Sequence, residues 1–483
     1  MGILSNLEPK NVFHFFEEIC NIPHGSGNVA QISNYLVDFA KERGLYYEQD
    51  EMKNVIIVKE ATEGYENQPP VIIQGHMDMV AVKKPDCDID MKTEGLRLAI
   101  DGDKIYAEGT SLGGDDGIAV AYGLALLDSA TLKHPRLEVV ITVDEEVGMD
   151  GARVIDLSNL KANRMLNIDS EEEGIFLTSC AGGARVNCKV PMHPVEMEGI
   201  AYLVSMEGLA GGHSGAEIHK ERGNSNCLMG RILYRLTRRM SIGIHKLEGG
   251  LADNAIPRET KAVIVVAEKD SAAFAEIVDA EGMKIVEELA SKDPGAKVQV
   301  SEEGKGAFSC VTGEEAALLA SYLIALPGGV QAMSADMPGL VETSLNLGVM
   351  KLTEDALCVS FSVRSCIESS KHALIAKVEA ITAMAGGSNT VTGDYPGWKY
   401  RVNSPLRDKM IDLYRRMYGE EPKVEAIHAG LECGLLGSKI DDLDCVSFGP
   451  DMKDIHTTEE TLSISSTARV WEYLVKLLEE KDA

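Results

Sequence analysis

Three short apolar runs, residues 71–74, 137–143 and 164–168, each lead almost directly into side chains suited to metal or proton chemistry. The first meets His76, the second Glu145 and Glu146, and the third Asp169. Apolar runs of this length rich in β-branched residues, set between polar turns and helical segments, predict buried strands of an α/β fold. A fourth run of this kind covers residues 54–59. Residues just past the carboxyl ends of such strands gather in one crevice, where α/β proteins place their sites.

The rest of the chain fits around that sheet. Val12, Phe15, Phe16 and Ile19 recur at helical spacing after Pro9, and Ile32, Tyr35, Leu36, Phe39 and Ala40 predict a second helix ending near Gly44. After about Ala184 strands and helices alternate, with residues 200–206, 224–237, 261–267 and 272–291 as candidates, and few clustered carboxylates or histidines. Residues 395–400 mark a return, and residues 406–418 predict another helix. At 483 residues the chain exceeds what one core usually supports. The simplest layout is one domain, residues 1–186 and 397–483, interrupted by a second, residues 187–396.

A formal charge of −29, from 76 acidic against 47 basic residues, repels phosphate backbones and anionic lipid, so no nucleic acid or membrane partner is expected. The ten cysteines lack a CxxC pair and are expected to be reduced. The first residues lack the basic and apolar segments of a secretory signal. The longest mostly apolar stretch, residues 316–326, is shorter than the roughly 20 residues of a membrane span. A cytoplasmic protein is expected.

The polar residues form a recurrent pattern. In GHMDMV, His76 and Asp78 lie two apart and can point the same way, as a ligand and the carboxylate that fixes its tautomer do. In GTSLGGDDGIAVAYG a glycine turn delivers Asp115 ahead of a helical segment, where it bridges two cations or serves, like Asp116, as a plain N-cap. In VVITVDEEVG, Glu145 and Glu146 should face opposite sides of a strand, one binding metal and the other acting as general base. Asp169 in NIDSEEEG and His456 in DIHTTEE complete a set of two histidines and three carboxylates. Such a set can give each of two ions one histidine, one terminal carboxylate and a share of a third.

With these motifs the chain resembles the co-catalytic zinc metallopeptidases, the family of carboxypeptidase G, the aminoacylases and several dipeptidases. The resemblance implies His76, Asp115, Glu146, Asp169 and His456 as ligands of two zinc ions, with cobalt or manganese as substitutes. It implies Asp78 as the orienting carboxylate and Glu145 as the base. The family usually carries Lys two residues after the bridging Asp, where this chain has Gly117. GTSLGGDDGIA, SCAGGAR, GGHSGAEIHKERGN, DNAIPRE and HAGLECG are similar to the branch that hydrolyses aminoacyl-histidine and other dipeptides.

That likeness implies a zinc-binding domain with a central mixed sheet flanked by helices, interrupted by an α+β lid domain, and a homodimer. From the lid, it implies that His213, Asn254 and Arg364 contact substrate. His213 or Asn254 would donate to the oxyanion, and Arg364 would pair with the carboxylate of a dipeptide. Glu432 of HAGLECG is a candidate for the substrate's other end. Rival activities are tripeptide cleavage and deacylation of N-acyl amino acids at the same site, or metal-dependent binding without catalysis.

Overall fold

The computed structural model describes residues 2–482. The described residues fold into two compact units, one of residues 2–179, 400–426 and 431–482, the other of residues 180–399 and 427–430.

The first unit is built on an eight-stranded sheet in the order 46–49, 55–59, 137–142, 71–76, 164–167, 444–447, 175–180, 423–427. Its interior is parallel: Val71–His76 runs alongside Leu137–Thr142 and Arg164–Asn167, which pairs in parallel with Asp444–Ser447. Antiparallel strands Val55–Lys59 and Ile175–Cys180 flank these four, so the sheet is mixed. Every residue of Val71–His76 and Leu137–Thr142 is buried, as continuous apolar runs in a covered parallel sheet must be.

The helix Lys10–Cys20 buries Val12, Phe13, Phe15, Phe16 and Ile19, and Ala30–Glu42 ends two residues before Gly44, whose φ of +65° closes the turn. The helix Gly114–Asp128 is buried from Gly114 through Leu127. An apolar surface on all sides suits only a helix enclosed by others. A second sheet of four short strands joins Leu98–Asp101 and Lys104–Ala107 to Met452–Lys453 and Thr461–Ser463.

The second unit is a nine-stranded sheet whose strand pairings among the described residues are all antiparallel. The helices Ser225–Thr237, Ser271–Leu289, Gly313–Ala325 and Glu368–Met384 contribute to its separate apolar core. Among the described residues no helix is long and apolar enough to cross a membrane.

Candidate metal centre

The four parallel strands of the first unit end on the same edge of the sheet, and each delivers one part of the site. His76 closes Val71–His76, and its Nε2 lies 3.2 Å from Asp115 Oδ1 and 3.8 Å from Asp169 Oδ1. Asp169 follows Arg164–Asn167 by two residues. His456, on the turn beyond Asp444–Ser447, places Nε2 at 3.1 Å from Asp115 Oδ2 and 2.9 Å from Glu146 Oε1. The two oxygens of Asp115 therefore face two different imidazoles. Donor atoms of His76, Asp115 and Glu146 all lie within 4.8 Å of one another, as do those of His76, Asp116 and Asp169.

Asp115 does not cap the helix that begins beside it. Its φ of −83° and ψ of 107° are non-helical, and the N-cap position is Gly113. Asp116 is fully buried, and one of its oxygens accepts the backbone N–H of His76 at 3.2 Å. The sequence offers Asp116 only as a capping alternative, so its place beside His76 and Asp169 adds a buried carboxylate to the cluster.

Glu145 and Glu146 lie past the end of Leu137–Thr142, on a turn that starts with Asp144 at φ +54°. Their separation thus comes from the turn and not from alternation along a strand. Asp78 contributes in two ways. Its carbonyl lies 2.9 Å from His76 Nδ1, nearer than its carboxylate at 3.6 Å. The carboxylate accepts from Ser26 Oγ at 2.8 Å and from the backbone N–H of Glu145 at 3.1 Å.

So many carboxylates in little solvent disturb one another. Burial pushes the carboxyls of Asp116 and Asp169 well above the usual range. Loss of solvation, reinforced by Glu432, Glu146 and Asp115, pushes Glu145 up to about 8. Asp115 goes the other way: burial alone would raise it, but hydrogen bonds from His456 and His76 hold it below its ordinary value. Hydrogen bonds to Asp115 and Glu146 push His456 up to about 10. A cluster of this sign offsets its own repulsion by taking protons or cations. One Asp116 oxygen is buried without a hydrogen-bond partner among the described residues. Nitrogen and carboxylate donors at these separations fit divalent metal ions.

Glu432 is fully buried behind this edge, where Thr142 Oγ1 and Gln74 Nε2 donate to one oxygen at 2.6 and 2.7 Å. Its other oxygen has no partner among the described residues. Burial pushes its carboxyl up to about 7.

His213, Asn254 and Arg364 belong to the second unit. His213 pairs with Ala255 across a two-residue ladder, and the Asn254 carbonyl accepts from Ser214 N–H at 2.8 Å. A Cβ at Gly215 would meet Arg364 Nε and His213 Cε1, both at 3.1 Å, and, closer still, the carbonyl oxygen of His428, which gathers His213 and Arg364, but not Asn254, around one glycine. Arg364 is buried and its Nε has no partner among the described residues, while Nη1 donates to Tyr395 Oη at 3.3 Å. His428, which shares HAGLECG with Glu432, is also in this unit and bonds Ser344 Oγ at 2.7 Å. Burial, with Arg364 adding to it, pushes His428 down to about 3. Nothing in the sequence singles it out, because the glycines around it read as a turn.

A third grouping, Glu368, His372 and Asp394, is exposed. The ammonium of Lys371 already stands 3.0 and 2.6 Å from its two carboxylates, so it is an ion-pair cluster that carries its own cation.

Comparison with known proteins follows the same lines. The profile of Peptidase family M20/M25/M40 matches residues 72–480. The cytosol non-specific dipeptidase of Escherichia coli (strain K12) is 36% identical over 489 residues, covering 99% of both chains. The crystal structure of aminoacylhistidine dipeptidase from Vibrio alginolyticus matches with a TM-score of 0.94 at 35% identity, over 100% of this chain and 99% of that one. A tripeptidase from Staphylococcus aureus shares the fold, with a TM-score of 0.56 at 16% identity over 99% of each chain.

Proposed function

Because this chain belongs to the M20/M25/M40 peptidase family, we propose that it is a metallo-dipeptidase that hydrolyses dipeptides of broad sequence, Xaa-His dipeptides included, with two zinc ions. The observation that carries the metal assignment is Asp115, whose two oxygens face His76 and His456 separately. His76 and Asp169 would hold one ion, Glu146 and His456 the other, and Asp115 both. Zinc bound there supplies a Lewis acid for the scissile carbonyl and for water.

The chain's own groups do the rest. Glu145 takes a proton from the attacking water on its carboxylate and gives it to the departing amine. Asp78 steers the His76 ring through Nδ1 and holds the backbone of Glu145 in place. Arg364 pairs with the free carboxylate of the dipeptide, and His213 or Asn254 donates to the oxyanion. The unpartnered Arg364 Nε supports that role. Glu432 receives the substrate's other end, and its unpartnered oxygen is the group available for it.

Residues 187–396 act as a lid inserted into a catalytic domain of residues 1–186 and 397–483, a layout supported by the unit boundaries at 179/180 and 399/400. A cytoplasmic homodimer completes the proposal, and sedimentation of the purified protein tests the dimer.

The substrate class rests on the two named dipeptidases, each matched over nearly its whole length. Hydrolysis of Xaa-His and other dipeptides, tripeptides and N-acyl amino acids by one preparation tests it. Dipeptides should have the highest kcat/KM. A preference for tripeptides or acyl amino acids would replace the substrate and keep the site, whereas metal binding with no hydrolysis would remove the enzyme.

A further inference from the structure

We propose that Glu460 is a positioning residue that fixes Asp115 against His456, and so sets the affinity of the ion on the His456 side. The inference rests on the two-metal assignment above. Glu460 is 3% exposed, and no Lys or Arg pairs with it among the described residues. Its carboxylate instead collects four backbone N–H groups. Oε2 accepts from Leu112 at 2.9 Å and Gly113 at 3.2 Å, and Oε1 accepts from Gly114 at 2.8 Å and Asp115 at 3.4 Å. Charge-assisted bonds of this kind are about twice as strong as neutral ones.

The local structure explains why a distant carboxylate is needed. The helix Gly114–Asp128 has no side-chain cap of its own, and its first N–H groups have no partner within it. Glu460 supplies the acceptor from 345 residues or more along the chain. The two glycines make room: Gly113 has φ +68°, and a Cβ on Gly114 would stand 3.3 Å from Glu460 Oε1.

Glu460 follows His456 by four residues. Both lie on one turn, where Thr457 Oγ1 donates to the Asp454 carbonyl at 2.6 Å and accepts from Glu459 N–H at 3.1 Å. The turn leads into the short strand Thr461–Ser463. His76 and Asp169, by contrast, are set by strands of the main sheet and do not depend on this turn. Both ions share Asp115, but only the ion on the His456 side would lose the placement of two ligands, so loss of Glu460 should loosen that ion most.

The test is a zinc titration of metal-stripped full-length protein, wild type against Glu460→Gln, followed by kcat and KM for a dipeptide across zinc concentrations. Gln keeps the shape but turns an N–H₂ toward N–H groups. The wild type should bind two ions, and E460Q should bind the ion on the His456 side about 10- to 100-fold more weakly, with a clearly smaller loss at the other. Excess zinc should restore kcat, with KM unchanged. Gly114→Ala, which presses on the same carboxylate from the opposite side, should weaken the same ion. Glu459→Gln, at an exposed residue paired with Lys84, should change neither affinity.

Equal binding of both ions by E460Q and wild type would overturn the proposal, as would equal weakening of both ions or a fall in thermal stability with both affinities intact. A wild type that binds no pair of ions would instead remove the two-metal assignment on which it rests.

Discussion

At Asp115 the backbone leaves helical geometry, and the carboxylate faces two imidazoles instead of capping its own helix. Beside it, Glu145 reaches the site from a turn held by Asp78. Glu145→Gln should lower kcat by about 10²- to 10⁴-fold, because an amide cannot take the proton, while metal content stays at the wild-type level. Near-normal turnover in that variant would assign the base elsewhere. A second residue reports on pH. Burial and Arg364 push His428 from its ordinary value of 6.5 down to about 3, so the folded state refuses a proton that the unfolded state accepts. Its contribution is fully present above pH 6.5 and is lost as pH falls toward 3. In denaturant unfolding, His428→Gln should flatten the stability profile over that window by more than about 1 kcal/mol. Parallel profiles for the two proteins would contradict the shift.

Among the elements, the strand Leu137–Thr142 carries Glu138, fully buried in an otherwise apolar run save its last residue. It accepts from Arg136 Nε at 2.8 Å and from the backbone N–H groups of Lys161 and Ala162 at 3.0 Å. Glu138→Ala should destabilise the protein by about 3 kcal/mol, since it strands those donors. A urea midpoint equal to the wild type would argue against that. The interior strands are legible in the sequence because continuous burial of a parallel strand leaves an apolar run, and a parallel order sends every run's end to one edge. Hence His76 and Asp169 can be placed from the sequence. The roles within the acidic pairs are not legible in the same way. Alternation along a strand does not apply to Glu145 and Glu146, which lie on a turn. Glu460 in TTEE is not singled out by the sequence, because nothing local announces that its partners are residues 112–115.

For the whole molecule, two separate apolar cores serve the two units. All five expected metal ligands, with Asp78 and Glu145, fall in one unit, although they span residues 76–456 of the chain. Ion binding should therefore stabilise that unit by relieving repulsion among its buried carboxylates. Calorimetry should show zinc raising its transition by the equivalent of about 3 kcal/mol at 100 times Kd. Transitions that ignore zinc would mean that the cluster is held by protons. The most direct test of the central claim is chelation. Metal-stripped protein should lose hydrolysis of Xaa-His dipeptides, and activity should return with zinc, saturating at two ions per chain; cobalt or manganese in its place measures how far the site accepts substitutes. Full cleavage of the same dipeptides by protein shown to be free of metal would contradict it.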